Sequence, residues 1–192
     1  MEGIGILILA AGASKRMGKV KQLLPWKRTN ILEHIVDEVT QISDNSCVVL
    51  GANSDQILKS LSKQIKTTIN RGWKKGMGSS ISHGINFFGK NNEALLIILS
   101  DQPMISKEYL ISMIKKHKKN SNSIIATSYH NKPGVPAIFP RKYFDKLKNL
   151  SQDFGARKIL MEESKNTILM NSKGKNVDID TWVDYKSHYQ KE

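Results

Sequence analysis

Short apolar runs rich in Ile, Val and Leu alternate along the chain with stretches whose apolar residues recur at helical spacing. Strand-length runs separated by amphipathic segments are the pattern of successive β-α units over a mostly parallel sheet, so an α/β fold is expected. The runs predict strands at Gly5–Leu9, Cys47–Leu50, Thr67–Ile69, Ala94–Leu99, Ser123–Ser128, Ala137–Phe139 and Thr167–Met170. The periodic stretches predict helices at Ile31–Ile42, Ser54–Gln64, Ser79–Phe88, Lys107–Lys118, Arg141–Leu147, Phe154–Glu162 and Thr181–Tyr189. In the first helix Ile31, Ile35, Val36 and Val39 share one stripe while Glu33, Asp37 and Glu38 lie off it, which marks a helix packed on a sheet. Leu95–Leu99 shows no alternation, as suits a central strand covered on both faces. No linker, internal repeat or low-complexity tract breaks the pattern, and 192 residues suit one core, so a single domain over residues 1–192 is expected.

Composition narrows the class. With 39% apolar and 24% charged residues the chain is globular rather than disordered. Its longest apolar run, Ile6–Ala11, is far shorter than the ~20 residues needed to cross a bilayer. No basic segment precedes that run as a secretory signal requires, so the expected location is the cytoplasm, with no membrane partner. The single cysteine, Cys47, excludes a disulfide framework and reads as a core residue within its apolar run. His34, His83, His117, His130 and His188 show no metal-ligand spacing, which argues against a zinc site, and they read mostly as surface or loop residues. The formal charge of +13 calls for an anionic partner: a nucleotide, a phosphorylated metabolite or a nucleic acid. The run Lys115–Lys119 is read as a solvated helix face. An RNA-binding module is the rival reading from another class; against it, the chain lacks an aromatic strand motif of the R-G-F-x-F kind and holds only 7% aromatics.

The most informative letters are L-A-A-G-A-S-K-R-M-G-K-V-K-Q-L-L-P at Leu9–Pro25, directly after the first expected strand. Loops at the carboxyl ends of strands line the ligand crevice of an open α/β sheet. Here Ala10, Ala11, Gly12 and Ala13 leave room for close backbone approach. Successive N–H groups in such a loop cradle phosphate oxygens, with Ser14 able to add a hydroxyl and Arg16 and Lys21 adding charge. Neither better-known phosphate loop fits. Gly12 and Gly18 are spaced wrongly for G-x-x-x-x-G-K-[ST], and Lys19 is followed by Val20. The dinucleotide pattern G-x-G-x-x-G fails at Ile8 after Gly3 and Gly5, and at Ile81 after Gly76 and Gly78, so kinase and dehydrogenase readings fall away.

Two carboxylate segments could complete such a site. Ser100-Asp101-Gln102-Pro103 puts Asp101 at the carboxyl end of a central strand, with Pro103 fixing the exit; Ser106 rather than Asp101 is placed to cap the next helix. Near the chain's end, Val177-Asp178-Ile179-Asp180 alternates, so Asp178 and Asp180 share one face of an extended segment while Ile179 faces the core. Magnesium takes one or two carboxylates plus phosphate oxygens and water, which such a pair would satisfy.

The pattern A-A-G-x-S-x-R-M-G-x-x-K at residues 10–21 resembles the opening signature of nucleotidyltransferases related to the molybdenum cofactor guanylyl- and cytidylyltransferases. The continuation L-P-W at Leu24–Trp26 and I-L-E at Ile31–Glu33 looks most like the cytidylyltransferase branch, although Trp26 itself reads as a packing residue. The resemblance extends through Asn70-Arg71-Gly72-Trp73 to Ile81, Gly134-Val135-Pro136, Gln152–Arg157 and the terminal D-I-D-T, nearly the whole chain. It implies a three-layer, Rossmann-like nucleotidyltransferase fold and a division of labour among residues. Gly12, Ser14 and Arg16 would hold the β- and γ-phosphates and Lys21 the α-phosphate, beside Ala10 and Ala11. Asp101 and Asp180 would hold Mg2+, with Asp178 as the alternative second ligand. Asn70, Gly78, Ser79 and Ser80 would border the base and ribose, with Ser79 capping the helix that follows. Gly134, Pro136 and Arg157 would meet the acceptor. The chain departs from the pattern at Val135, where the family has histidine, and at Trp182 and Val183, where it has proline and an acidic residue.

The implied reaction carries CMP from CTP to a molybdopterin-type acceptor, for delivery to a recipient molybdoenzyme. The acceptor's phosphate would attack the α-phosphorus in line and pyrophosphate would leave. A phosphate nucleophile is already ionised at neutral pH, so no general base is required. Arg16, Lys21 and Asp101 would be the catalytic residues. The nearest rival uses GTP or acts on a sugar phosphate.

Overall fold

The computed structural model describes residues 3–62, 64–88, 91–150 and 155–189. Along the chain lie β1 (Ile4–Ala10), a hairpin of β2 (Pro25–Trp26) and β3 (Thr29–Asn30), α1 (Ile31–Thr40), β4 (Ser46–Leu50), α2 (Ser54–Ser60), β5 (Lys66–Ile69), α3 (Met77–Phe88) and β6 (Ala94–Leu99). They are followed by α4 (Lys107–Lys118), β7 (Ile124–Tyr129), β8 (Lys132–Pro140), α5 (Phe144–Lys148), α6 (Arg157–Glu162), β9 (Thr167–Met170) and α7 (Trp182–His188). One seven-stranded sheet has the order β5-β4-β1-β6-β8-β7-β9. Its strands run parallel except β8, which is antiparallel to both β6 and β7.

The sheet is covered on both faces, as its uninterrupted apolar strands require. Ile6, Ile8, Val48, Leu50, Leu96 and Ile98 pack toward α1 and α4. Leu7, Leu9, Val49, Leu95 and Ile97 pack toward α3, α5 and α6. The result is the expected three-layer α/β fold, with β6 at the centre. In β1, β4 and β6, Leu9 pairs with both Val49 and Leu99, so all three strands end at one edge. The loops that leave Ala10, Leu50 and Leu99 therefore share that edge, and this registration positions the site.

Several boundaries differ from expectation for local reasons. α1 ends at Thr40 rather than Ile42. The hairpin of β2 and β3 was not anticipated; its strands are too short to carry a pattern. α2 stops at Ser60, before the expected Gln64, because Leu61 turns extended and the buried Glu33 carboxylate accepts hydrogen bonds from the Ser62 amide and hydroxyl. α3 begins at Met77, so Ser79 lies in its first turn and is not a cap; its hydroxyl donates to the Gly76 carbonyl at 2.8 Å. Ser106 holds the N-cap position of α4, but its side chain makes no capping bond. β8 spans far more than Ala137–Phe139, and a bulge in its pairing with β7 lies at Ala126/Thr127. The expected helix at Arg141–Leu147 divides into a 3-10 turn over Arg141–Tyr143 followed by α5. α6 begins at Arg157, and Phe154, where it was expected to start, lies outside the described residues. Thr181 is the N-cap of α7, and with Asp184 it forms a capping box.

Of the histidines read as surface or loop residues, His130 is exposed in a turn and His34, His83 and His188 are part-exposed, so His117 is the exception. His34, His83, His117 and His188 sit on helices, and His117 is buried. Cys47 is a core residue in β4. The lysines at the end of α4 are exposed, as a solvated face should be.

Candidate active site

The loop after β1 is braced from beneath. The buried Gln22 amide donates to the carbonyls of Ala10 and Gly12, both at 3.3 Å, and its Oε1 accepts the Ser14 hydroxyl at 3.2 Å. The Lys21 amide donates in turn to Ser14 Oγ at 3.2 Å. Positive φ at Ser14 (53°) and Gly18 (65°) turns the chain back over this brace. A Cβ on Gly12 would meet no atom within 4 Å, so packing does not demand glycine there. Sequence reasoning passed over Gln22, whose one signal is a polar residue between the apolar Val20 and Leu23-Leu24.

Opposite the loop stand the carboxylates. Asp101 follows β6, and its carbonyl accepts the Ile179 amide at 2.8 Å, which pins the C-terminal segment beside it. Ile179 is fully buried, and Asp178 and Asp180 on either side both line the cavity; the segment forms no strand. Lys21 Nζ lies 2.6 Å from Asp101 Oδ2 and 2.9 Å from Asp180 Oδ1, while Arg16 Nη2 lies 2.8 Å from Asp180 Oδ2. Burial alone would lower the Lys21 pKa, but Asp101 and then Asp180 outweigh it, so the ammonium's pKa lies above its usual value. Asp101 Oδ1 is buried without a hydrogen-bond partner. The start of α7 also grips the loop, with Trp182 Nε1 donating to the Met17 carbonyl at 3.0 Å.

Behind Asp178 the polar groups close on one another. Gln102 Nε2 donates to Asp178 Oδ1 at 2.7 Å and to the Tyr129 hydroxyl at 2.5 Å, and that hydroxyl donates to the Val135 carbonyl at 2.5 Å. Displacement of water by the surrounding protein raises the Asp178 pKa against the Gln102 bond, and the nearby Asp101 and Asp180 add to the rise. Burial and then the Asp178 charge raise the Tyr129 phenol well above its usual value.

The third wall is the turn before α3. Buried Asn70 donates to Ser79 Oγ at 2.9 Å and Ser80 Oγ at 3.1 Å and accepts the Gly72 amide at 2.9 Å. Asn70 and Ser79 thus brace the turn, which presents Trp73, Lys74, Gly76 and Met77 to the cavity.

The walls enclose a cavity of about 860 Å³ at the carboxyl edge of the sheet. Of the residues singled out in the sequence, Ala11, Gly12, Ser14, Arg16, Lys21, Ser80, Asp101, Asp178 and Asp180 line it. Ala10 lies beneath the loop as the last residue of β1, Gly78 is buried within α3, and Asn70 and Ser79 act from behind. Gly134, Pro136 and Arg157 are not on the cavity wall: the first two belong to β8 and Arg157 is exposed at the start of α6. Sequence reasoning gave no site role to Lys15, Trp73, Lys74 or Met77, although all four fall inside segments it had marked. Among the described residues no helix is long and apolar enough to cross a membrane.

A mostly parallel sheet whose strand ends carry a braced glycine loop facing paired carboxylates fits an NTP transferase. The chain belongs to the MobA-like NTP transferase domain family, whose model matches residues 6–167. It is similar to the bifunctional protein GlmU of Baumannia cicadellinicola subsp. Homalodisca coagulata, with 30% identity over 149 residues, 70% of this chain and 31% of that protein. It thus spans about a third of the length of the curated relatives it matches. Rv0371c from Mycobacterium tuberculosis H37Rv superposes with a TM-score of 0.85 at 24% identity, covering 97% of this chain and 96% of that one. The manganese complex of Rv0371c gives 0.79 at 23% identity, with 97% of both chains covered. Molybdopterin-guanine dinucleotide biosynthesis protein A from Archaeoglobus fulgidus gives 0.70 at 17% identity over 95% of each chain.

Proposed function

We propose that this nucleotidyltransferase domain, a single unit over residues 1–192, transfers CMP from CTP to a molybdopterin-type acceptor in the cytoplasm, for a recipient molybdoenzyme. The observation that carries the transferase reading is the chain Arg16–Asp180–Lys21–Asp101, which places two cations and two carboxylates across from the glycine loop. The choice of CTP and of a pterin rests on the motif resemblance at residues 10–33, joined by the fold shared with a protein named for molybdopterin-guanine dinucleotide biosynthesis.

The donor set fits a hard divalent cation. Asp101 and Asp180 already converge on one positive group, Asp101 keeps a buried oxygen without a partner, and no thiol or imidazole competes among the residues lining the cavity. Among the described residues no cluster of three or more His, Cys, Asp or Glu is arranged as a metal site, which suits an ion that fills its shell with phosphate oxygens and water. Asp101 and Asp180 would hold Mg2+, which when bound supplies charge that polarises the phosphate oxygens.

The chain's own residues do the rest. The amides from Ala11 to Ser14 receive the triphosphate, and Arg16 and Lys21 neutralise its charge. The Gln22 brace keeps these donors in place before the ligand arrives, so little reorganisation is required at the moment of reaction. The acceptor's phosphate attacks the α-phosphorus, its new P–O bond forming as the bond to pyrophosphate breaks. No side chain has to take a proton.

Incubation of the protein with Mg2+, molybdopterin and each ribonucleoside triphosphate in turn tests this, with pyrophosphate release and product mass as the readouts. CTP should support turnover best and yield the cytidine dinucleotide of the pterin. Preferential turnover with GTP, or transfer to a sugar phosphate alone, would overturn the proposal.

A further inference from the structure

The two carboxylates already share a cation, and that cation is part of the protein. Lys21 Nζ sits between Asp101 Oδ2 and Asp180 Oδ1, and its side chain is only 12% exposed, beside an Asp101 that is 18% exposed. Water therefore screens this contact weakly. Asp180 is further occupied by Arg16, whose side chain is 70% exposed. Two cations and two carboxylates are joined in this chain of ion pairs, and the neighbouring Asp178 is held by Gln102 instead. A divalent ion and an ammonium seeking the same oxygens compete for their lone pairs and repel each other.

On the transferase reading the same lysine is needed on the phosphates, and it cannot neutralise both partners at once. The backbone at Lys21 is held by the Ser14 hydroxyl and by the 3-10 turn Lys21–Leu23, so the exchange is a swing of the side chain and not a rearrangement of the loop.

We propose that Lys21 is the resident counterion of Asp101 and Asp180, so that a divalent cation binds poorly alone and enters together with a triphosphate that draws Lys21 onto its phosphates. The second half of this proposal rests on the transferase reading; the first half does not. Before binding, the lysine and arginine balance the carboxylates; afterwards they balance the triphosphate and the divalent ion takes their place. An empty cavity is thereby kept from binding metal idly, and metal and nucleotide become mutually dependent ligands.

Mn2+ alone, without nucleotide, is titrated into wild type, Lys21→Met and Lys21→Gln, and free ion is followed by electron paramagnetic resonance. Circular dichroism and melting curves check that each variant is folded; either neutral variant suffices if the other is not. The neutral variant should bind Mn2+ at least about tenfold more tightly than wild type, the size of a typical coupling between ligands. A CTP analogue with a non-hydrolysable α,β-bridge should raise the Mn2+ affinity of wild type by more than it raises that of the variant. Equal or weaker Mn2+ binding by both neutral variants overturns the proposal. So does a wild type whose Mn2+ affinity is unchanged by the analogue. Turnover measured separately keeps the two readings apart. Transfer activity without the Mn2+ gain removes the counterion role and spares the transferase. The Mn2+ gain without transfer on any triphosphate does the reverse.

Discussion

At the parallel end of the sheet, where β1, β4 and β6 stop together, polar side chains reach across a gap: Arg16 and Lys21 from the loop, Asp101 and Asp180 from the far wall. At the antiparallel end, where β8 runs between β6 and β7, they bond mainly to one another. Thr127 donates to the Pro136 carbonyl at 2.8 Å, Tyr109 donates to Thr127, and Gln102 joins Asp178 to Tyr129. The two ends differ in what replacing a partner costs. Partners that line a cavity can be traded for those of a ligand, whereas removing one member of a buried network leaves another unsatisfied. The first is the chemistry of a binding site and the second that of a scaffold.

Substitutions can sharpen or break that contrast. The largest effect is expected at Asp101→Ala, which should lower Mg2+-dependent turnover by at least about a hundredfold, the range for removal of a charge-stabilising group. Its melting temperature should barely move, because Lys21 keeps Asp180; steady-state kinetics and calorimetry on the same sample read both, and retained activity removes Asp101 from the site. Gly134→Ala should do the opposite. Its Cβ would lie 2.5 Å from the Tyr129 ring, so it should cost about 1–3 kcal/mol in denaturant unfolding with the KM for triphosphate unchanged. If instead stability holds and the KM for acceptor rises, Gly134 belongs to the site and the contrast fails. The smallest effect belongs to Thr181→Ala, which breaks the capping box at the start of α7 and should cost about 1 kcal/mol. Because α7 grips the loop through Trp182, the same variant should raise the KM for triphosphate modestly, and an unchanged KM would make the cap purely structural.

The layout of strands was legible because buried strands need continuous apolar runs, and Ile6–Ala10 or Leu95–Leu99 could serve as little else. Direction was not. Nothing local at Lys132–Pro140 says that β8 runs against its neighbours, and Pro133, Gly134 and Pro136 hid its length, since proline weakens a ladder reading and glycine reads as a turn. Ser79 and Ser106 were assigned capping roles that the helices do not use, because serine serves a cap, a first turn and a loop about equally well. In the site, Arg16, Lys21 and Asp101 stood out as charged residues after the carboxyl ends of expected strands and Asp180 through alternation and the resemblance, and the structure joins all four by ion pairs. Gln22 did not stand out, because in sequence a glutamine holding backbone carbonyls from below is indistinguishable from one on a surface turn. Asn70 shows a related limit: the letters mark a segment as important without saying whether its side chain faces the ligand or braces the loop that does.

Cys47 sits in β4 between β1 and β5, its side chain sealed from solvent, and burial pushes its thiol up to about 12, a rise that Lys66 only partly offsets. An alkylating reagent has neither access to it nor a thiolate to attack while the strand stays paired. As the chain's lone cysteine, it is a built-in clock: the rate at which it is labelled times the opening of the sheet beside β1. Slower labelling with bound nucleotide would put a number on how far an occupied cleft tightens the framework beneath it.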